Sequence, residues 1–360
     1  FKNDLKTINK EIKSYNTIFN YWNSFFKTYN VKIFFSWFLY DKNHIAISEA
    51  IKNNQGISAI WQMAFNGTPY VECITVSDIF FTYSNLTSKI NNKTGSKCKY
   101  QVITGYPKDY AFSIIKNKDK EVRKKLESAG AQNIIAIFDE NSQPDDRWHT
   151  GVDLQIENYE YAINKILKNP KLGVIFKPKS PKTLRKRLYK INQLLDEAIA
   201  TGRCHIFEET SRYTSAISPV YAGFNADIAV HSHLSAGTAA IECALNNIRT
   251  LLIDREGVPF DLLNELPKNK IVFNSWEKAF DNILEYFESE KQLKDFGDWS
   301  SYLDLFDPFR DGKAAYRIGT YLESILDGYK NNKDREIIMQ EAAESYADKW
   351  GEDKIIINNE

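Results

Sequence analysis

Short apolar runs of strand length alternate with helically spaced stretches along nearly the whole chain, and this restricts the fold more than any other feature of the sequence. Such a pattern builds parallel sheets, because each crossover between parallel neighbours needs a helix-length connection. After an amphipathic stretch at 5–29, VKIFFSWFLY (31–40) reads as a buried strand, 44–52 as a helix and GISAIWQ (56–62) as a second strand. Residues 73–83 carry one or two more, then YQVITGY (100–106) follows, and 109–130 is helical up to a glycine stop. AQNIIAIFDENS (131–142) runs from a strand into a polar loop. A second series adds the strands LGVIFKPKS (172–180), RCHIFEE (203–209), ADIAVHSH (226–233), RTLLIDREG (249–257) and KIVFNSW (270–276). Helical stretches lie between and after them, among them a strongly basic one at 180–200. The pattern predicts two tandem doubly wound α/β units, at 1–152 and 153–310, and a charged helical tail at 311–360.

A length of 360 residues, 43% of them hydrophobic, suits two cores. Forty-seven Lys and Arg balance 47 Asp and Glu, which argues against a broad electrostatic grip on nucleic acid. Phosphate affinity must then come from a shaped site. Cys73, Cys98, Cys204 and Cys243 show no C-x-x-C spacing, and no metal-ligand set such as H-E-x-x-H occurs, so neither a disulfide framework nor a bound metal is expected. No apolar run reaches the ~18 residues of a spanning helix. With no leader-like opening, a cytoplasmic location is expected, with association at the inner face of the plasma membrane left open.

In doubly wound sheets ligands bind outside the carboxyl ends of the strands, so the residues just after each apolar run are the candidates. ADIAVHSHLSAGTAAIECAL ends a strand on a turn of small residues and opens a helix. Ser232, His233, Ser235, Gly237 and Thr238 there could surround a phosphate at a helix start, and Glu242, one turn on, could take ribose hydroxyls. The alternative is a capped helix with close helix–strand packing. No Walker motif and no G-x-G-x-x-G is present. In FKPKSPK, Lys177 and Lys179 flank Pro178 at a strand end and could neutralise a leaving phosphate, with Arg185 and Arg187 as weaker candidates. Glu208 closes another strand, where a nucleotide base or ribose could lie.

The third site is IIAIFDENSQPDDRWHTG. Asp139 and Glu140 stand at a strand mouth, where a carboxylate can act as general base or nucleophile; Asp139 is favoured, being nearest the strand end with the shorter side chain, and His149 is a further catalytic candidate. Arg147 could hold an anionic substrate and Trp148 could stack on a sugar. A polar interdomain loop is the bland alternative.

HSHLSAGTAAIECALNNIRTLLIDREG and DPFRDGKAAYRIGTYL resemble runs in bacterial surface-polysaccharide biosynthesis proteins, and the layout resembles a GT-B glycosyltransferase. The resemblance implies two Rossmann-like domains facing across a cleft, the first catalytic and the second binding a nucleotide sugar. It also implies a glycan or lipid-linked glycan acceptor and no cofactor beyond the donor. Within that class the chain resembles the transferases of CMP-activated acid sugars, the bacterial sialyltransferases and Kdo transferases. Their acidic turn, H-P turn and Ser-rich turn correspond to Asp139-Glu140-Asn141, Lys177-Pro178 and Ser232–Ser235, with Asn141 in place of a glycine and Lys177 in place of a histidine. Two other classes remain: a UDP-sugar 2-epimerase, which would act on donor alone, and a non-catalytic nucleotide- or sugar-binding scaffold.

Overall fold

A computed structural model describes residues 2–40, 43–140, 142, 151–207, 217–234, 237–257 and 261–358. The chain forms two compact units, one built from 1–110 with 304–360 and the other from 111–303.

Unit 1 begins with α1 (Lys2–Tyr29), β1 (Ile33–Ser36), α2 (Asn43–Asn53), β2 (Ile57–Trp61), β3 (Val76–Thr82), α3 (Asn85–Lys93) and β4 (Lys97–Ile103). The four strands pair in parallel and in sequence order, with Ile33 opposite Ile57 and Ile79 opposite both Ala59 and Tyr100. Phe19, Trp22 and Phe26 of α1 recur at helical spacing and pack with Phe34, Ala50 and Ile51. The strand expected to be buried over 31–40 is only four residues long. It lies at the sheet edge, and Phe35, Trp37, Phe38 and Tyr40 remain 36–43% exposed because only β2 pairs with it.

Unit 2 follows with α4 (Tyr110–Lys116), α5 (Glu121–Ser128), β5 (Asn133–Phe138), α6 (Val152–Lys168), β6 (Leu172–Lys177), α7 (Pro181–Arg187), α8 (Asn192–Ala200) and β7 (Cys204–Ile206). It continues with α9 (Pro219–Phe224), β8 (Ile228–His231), α10 (Thr238–Leu245), β9 (Thr250–Ile253), β10 (Val272–Phe273) and α11 (Trp276–Glu288). The six strands are all parallel, in the order β7-β6-β5-β8-β9-β10. Numbered from the first strand, that is the 3-2-1-4-5-6 order of dinucleotide-binding sheets. Helices cover both faces. Ile135, Ile137, Val174 and Phe176 pack towards α6 and α11, whereas Ile134, Ala136 and Ile175 pack towards α5, α9 and α10.

This topology corrects the division at residue 152. β5 is paired on both sides, with Ile137 opposite Phe176 and Val230, so the strand ending at Phe138 is central to the second sheet. A boundary after it would remove that sheet's middle strand. The basic stretch 180–200 is likewise two helices, α7 and α8, rather than one.

The chain then returns to unit 1 as α12 (Ala314–Lys330), α13 (Arg335–Trp350) and β11 (Ile355–Ile357), so 311–360 is not a tail. Ile318, Tyr321, Ile325, Ile338, Met339 and Ala342 cover the face of the first sheet that carries Ile57, Ala59, Ile79, Phe81 and Val102. Without them that apolar face would be bare. β11 adds to β4 in antiparallel fashion, Ile355 opposite Val102. Polar contacts fix the return. Arg317 is buried with its guanidinium 3.5 Å from the Phe309 ring centroid and 4.4 Å from that of Trp350, and it pairs with Asp311. An alternating ion-pair chain, Asp78–Arg335–Glu336–Lys99, joins the start of α13 to β3 and β4. Arg310 pairs with Asp304.

Asp307 receives the Tyr106, Phe309 and Arg310 amides at 2.9–3.1 Å, and beside it Asp109 accepts from the Ala314 amide. Burial first, and then the Asp307 charge, push the Asp109 carboxyl up to about 6, while the Ala314 amide pulls the other way. A raised carboxyl pKa means that the folded state binds the proton more tightly than the unfolded chain. Its contribution is therefore favourable below about pH 4 and lost as pH rises towards 6. Asp109→Asn should then be more stable than the wild type by about 1–2 kcal/mol at pH 7, after allowance for solvent screening, with the gap closing near pH 4. Denaturation at the two pH values measures this, and an equal gap at both would refute the assignment.

Candidate functional site

The switch point of the unit 2 sheet lies between β5 and β8, the two strands from which the order runs in opposite directions. A crevice at the carboxyl ends of such strands is where doubly wound sheets take ligands. Phe138, the last residue of β5, is level with Lys177 on one side and His231 on the other. Three segments that the sequence assigned to two different domains thus end side by side on one rim. Asp139 and Glu140 belong to unit 2, not to a separate N-terminal catalytic domain.

Asp139 sits at the bottom of this rim with its side chain fully enclosed. One carboxylate oxygen accepts from the Lys179 amide at 2.6 Å, and the other accepts from the Tyr159 hydroxyl at 2.9 Å and Gln155 Nε2 at 2.7 Å. Arg187 Nη1 stands 3.9 Å away and donates to Gln155 Oε1 at 2.6 Å. Burial pushes the Asp139 carboxyl above its usual range, and the Lys179 amide, Arg187, Tyr159 and His233 pull it back. This carboxylate ties the loops after β5 and β6 to α6 and α7. Glu140 is different. It stands nearer the surface, its side chain 12% exposed, and pairs with the more exposed Lys179.

Lys177 is buried, and its ammonium donates to the Pro178 carbonyl at 3.1 Å. Burial pulls its pKa down, against the nearby charges of Asp139 and Glu242. Glu242, buried on α10, accepts from the Ser218 hydroxyl at 3.3 Å. After β8, Ser232 donates its hydroxyl to the Phe138 carbonyl at 2.8 Å, so this serine clamps β8 to β5. Burial holds His231 down at about 4, hence neutral near pH 7. His233 is fully buried, with Nδ1 3.1 Å from Glu256 Oε1, while Nε2 has no hydrogen-bond partner among the described residues. A carboxylate on one ring nitrogen fixes the orientation of the ring and leaves the other nitrogen for a ligand.

Gly237 precedes α10 as its N-cap, and a Cβ there would lie 2.2 Å from Leu263 Cδ1. The atom it would meet is the end of the Leu263 side chain. Thr238 opens α10 and is half-buried. Arg147, Trp148, His149, Glu208 and Ser235 lie outside the described residues. Among the described residues, no group of His, Cys, Asp or Glu could hold a metal ion, and no helix is long and apolar enough to cross a membrane.

Sequence reasoning passed over Gln155, Asn158 and Tyr159 of α6, and Glu256. Asn158 accepts from Trp276 Nε1 at 2.7 Å and from Arg255, and it donates to the Ser232 carbonyl, joining α6, α11 and the turn after β8. A signal was present: Gln155 and Asn158 share the helical spacing of Tyr159, Ala162 and Ile166, so polar residues occupy core positions of α6. Glu256 follows its strand in the RTLLIDREG run, but its pairing with His233 joins separate segments.

The fold is that of an α/β protein with two units of the GT-B type. No family model and no curated protein matches the sequence. Solved structures do. A Listeria monocytogenes protein described as a UDP-N-acetylglucosamine 2-epimerase superposes with a TM-score of 0.57 at 13% identity, over 89% of this chain and 80% of that one. Anabaena HepE in complex with UDP and glucose gives 0.52 at 11%, over 83% and 79%. Sucrose-phosphate synthase from Thermosynechococcus elongatus gives 0.52 at 10%, over 89% and 80%. The likeness to all three is one of fold.

Proposed function

We propose that this protein is a glycosyltransferase of surface-polysaccharide assembly that takes its sugar from a nucleotide-sugar donor bound at the unit 2 switch point. The observation that carries this reading is the pair of buried polar groups beside the central strand: the Lys177 ammonium, donating to one backbone carbonyl, and His233 Nε2, which has no partner among the described residues. Buried polar groups are normally satisfied. A phosphate entering there would accept from the Lys177 ammonium, and from His233 Nε2 with the imidazole protonated on both nitrogens, because the Glu256 carboxylate holds the proton on Nδ1. It would meet the start of α10 on the same rim. Glu242 suits ribose hydroxyls. The runs HSHLSAGTAAIECALNNIRTLLIDREG and DPFRDGKAAYRIGTYL support a polysaccharide role, and CMP-Kdo or a related acid sugar is the first donor to try.

In this reaction the bond from the anomeric carbon to the donor phosphate breaks and one to the acceptor oxygen forms. Lys177 and His233 stabilise the charge that develops on the departing phosphate. Asp139, with every oxygen engaged by donors, positions the rim, and we assign the proton of the acceptor hydroxyl to Glu140. His149, Arg147 and Trp148 remain candidates for the acceptor.

Calorimetry with CMP, UDP and GDP tests the donor site. Lys177→Met keeps the length of the side chain and removes the charge, so it should weaken nucleotide binding by about ten- to a hundredfold, as for loss of one hydrogen bond to a charged group. Unchanged affinity in a folded variant would remove Lys177 from the site. Product formed from a UDP-sugar without acceptor would identify a 2-epimerase instead.

A further inference from the structure

Unit 1 contains a cavity of about 860 Å³ at the amino-terminal ends of β2, β3 and β4, the end of the sheet opposite the loops that follow these strands. Its volume falls within the ~300–1,000 Å³ range of small-molecule pockets. One wall is the ion-pair chain that holds α13, in which the buried Arg335 meets Asp78 and the charges alternate and cancel. Buried ionic walls favour a wet, polar occupant over an apolar one.

Two further lysines line this cavity. Lys52 lies in the last turn of α2 and Lys97 begins β4; both are exposed, and neither has a carboxylate partner among the described residues. Among the described lining residues Glu49 is the only other acid, so there cations outnumber carboxylates four to three. Ser48 donates its hydroxyl to the Val76 carbonyl at 2.8 Å, and Ser58 donates to Asp78 at 3.0 Å. Ser48 Oγ therefore keeps lone pairs that can accept from a ligand hydroxyl, and Ser58 Oγ, which already accepts from the Asp78 amide at 2.9 Å, keeps one.

We propose that this cavity is a second binding site, taking a small hydroxylated anion of the sugar-phosphate class, with the anion on Lys52 and Lys97 and the hydroxyls on the serines. It is independent of the transferase reading. A ligand touching α2, the sheet and α13 binds only the folded unit and so stabilises it.

The test is titration of the full chain with glucose 6-phosphate, inorganic phosphate and glucose in separate arms, read by calorimetry and thermal unfolding. Glucose 6-phosphate should bind more tightly than either other probe and raise the unfolding temperature. Lys52→Ser combined with Lys97→Ser should weaken that binding by about tenfold or more, since charge-assisted hydrogen bonds are lost from exposed positions that do not hold the fold. Lys177→Met, in the other unit, should leave it unchanged. The proposal is overturned if wild-type protein gives no response at millimolar glucose 6-phosphate. Equal affinity in the double variant overturns it too, as does inorganic phosphate binding as tightly as the sugar phosphate.

Discussion

Asp139→Ala should destabilise unit 2 by about 3–5 kcal/mol, the usual cost of removing one partner from a buried charged network. Arg187, only 8% exposed, would lose its carboxylate neighbour, and the Lys179 amide, the Tyr159 hydroxyl and Gln155 Nε2 would lose their acceptor. Asp139→Asn should cost less, because one oxygen remains to accept, but its amide would face groups that are themselves donors. Urea denaturation followed through the buried Trp276 reads both variants. A midpoint unmoved by the alanine would mean that this carboxylate does not anchor the rim.

Glu140→Gln should do the opposite, lowering transfer by about 10² or more while the unfolding midpoint hardly moves. Its side chain is partly exposed, and its pairing with the largely exposed Lys179 adds little stability. The glutamine keeps shape and hydrogen bonding but cannot take the proton of an acceptor hydroxyl. Nucleotide affinity should change little, since Lys177, His233 and Glu242 are untouched. The pair of variants separates an anchoring carboxylate from a reacting one. Full transfer by Glu140→Gln would take the base away from this turn and leave His149 as the next residue to replace.

Much of the fold was legible because its signals are local. Strand-length apolar runs with β-branched residues, such as IIAIF and GVIF, occupy β5 and β6. The rule that ligands gather after strands led to Asp139, Lys177 and Ser232 without any knowledge of which strands are neighbours. Local pattern favoured Asp139 over Glu140 as the base, from its place at the strand end, but could not show what encloses each side chain. Asp139 and Glu140 are adjacent carboxylates in sequence, yet one is enclosed by α6 and α7 and the other reaches a surface lysine. Ser232 likewise reads as a phosphate ligand until the Phe138 carbonyl is found to accept its hydrogen.

The sequence by itself determined the class of the fold, the existence of nearly all its strands and helices, and the three segments that meet at the switch point. Periodicity and turn residues act over a few neighbours, and both survive in one dimension. Only the tertiary structure decided that β5 belongs to the second sheet, that 311–360 folds back over the first, and that His233 is held by Glu256. Each of those outcomes is a pairing between segments far apart in the chain, set by which apolar face remained to be covered and which buried polar atom remained to be satisfied.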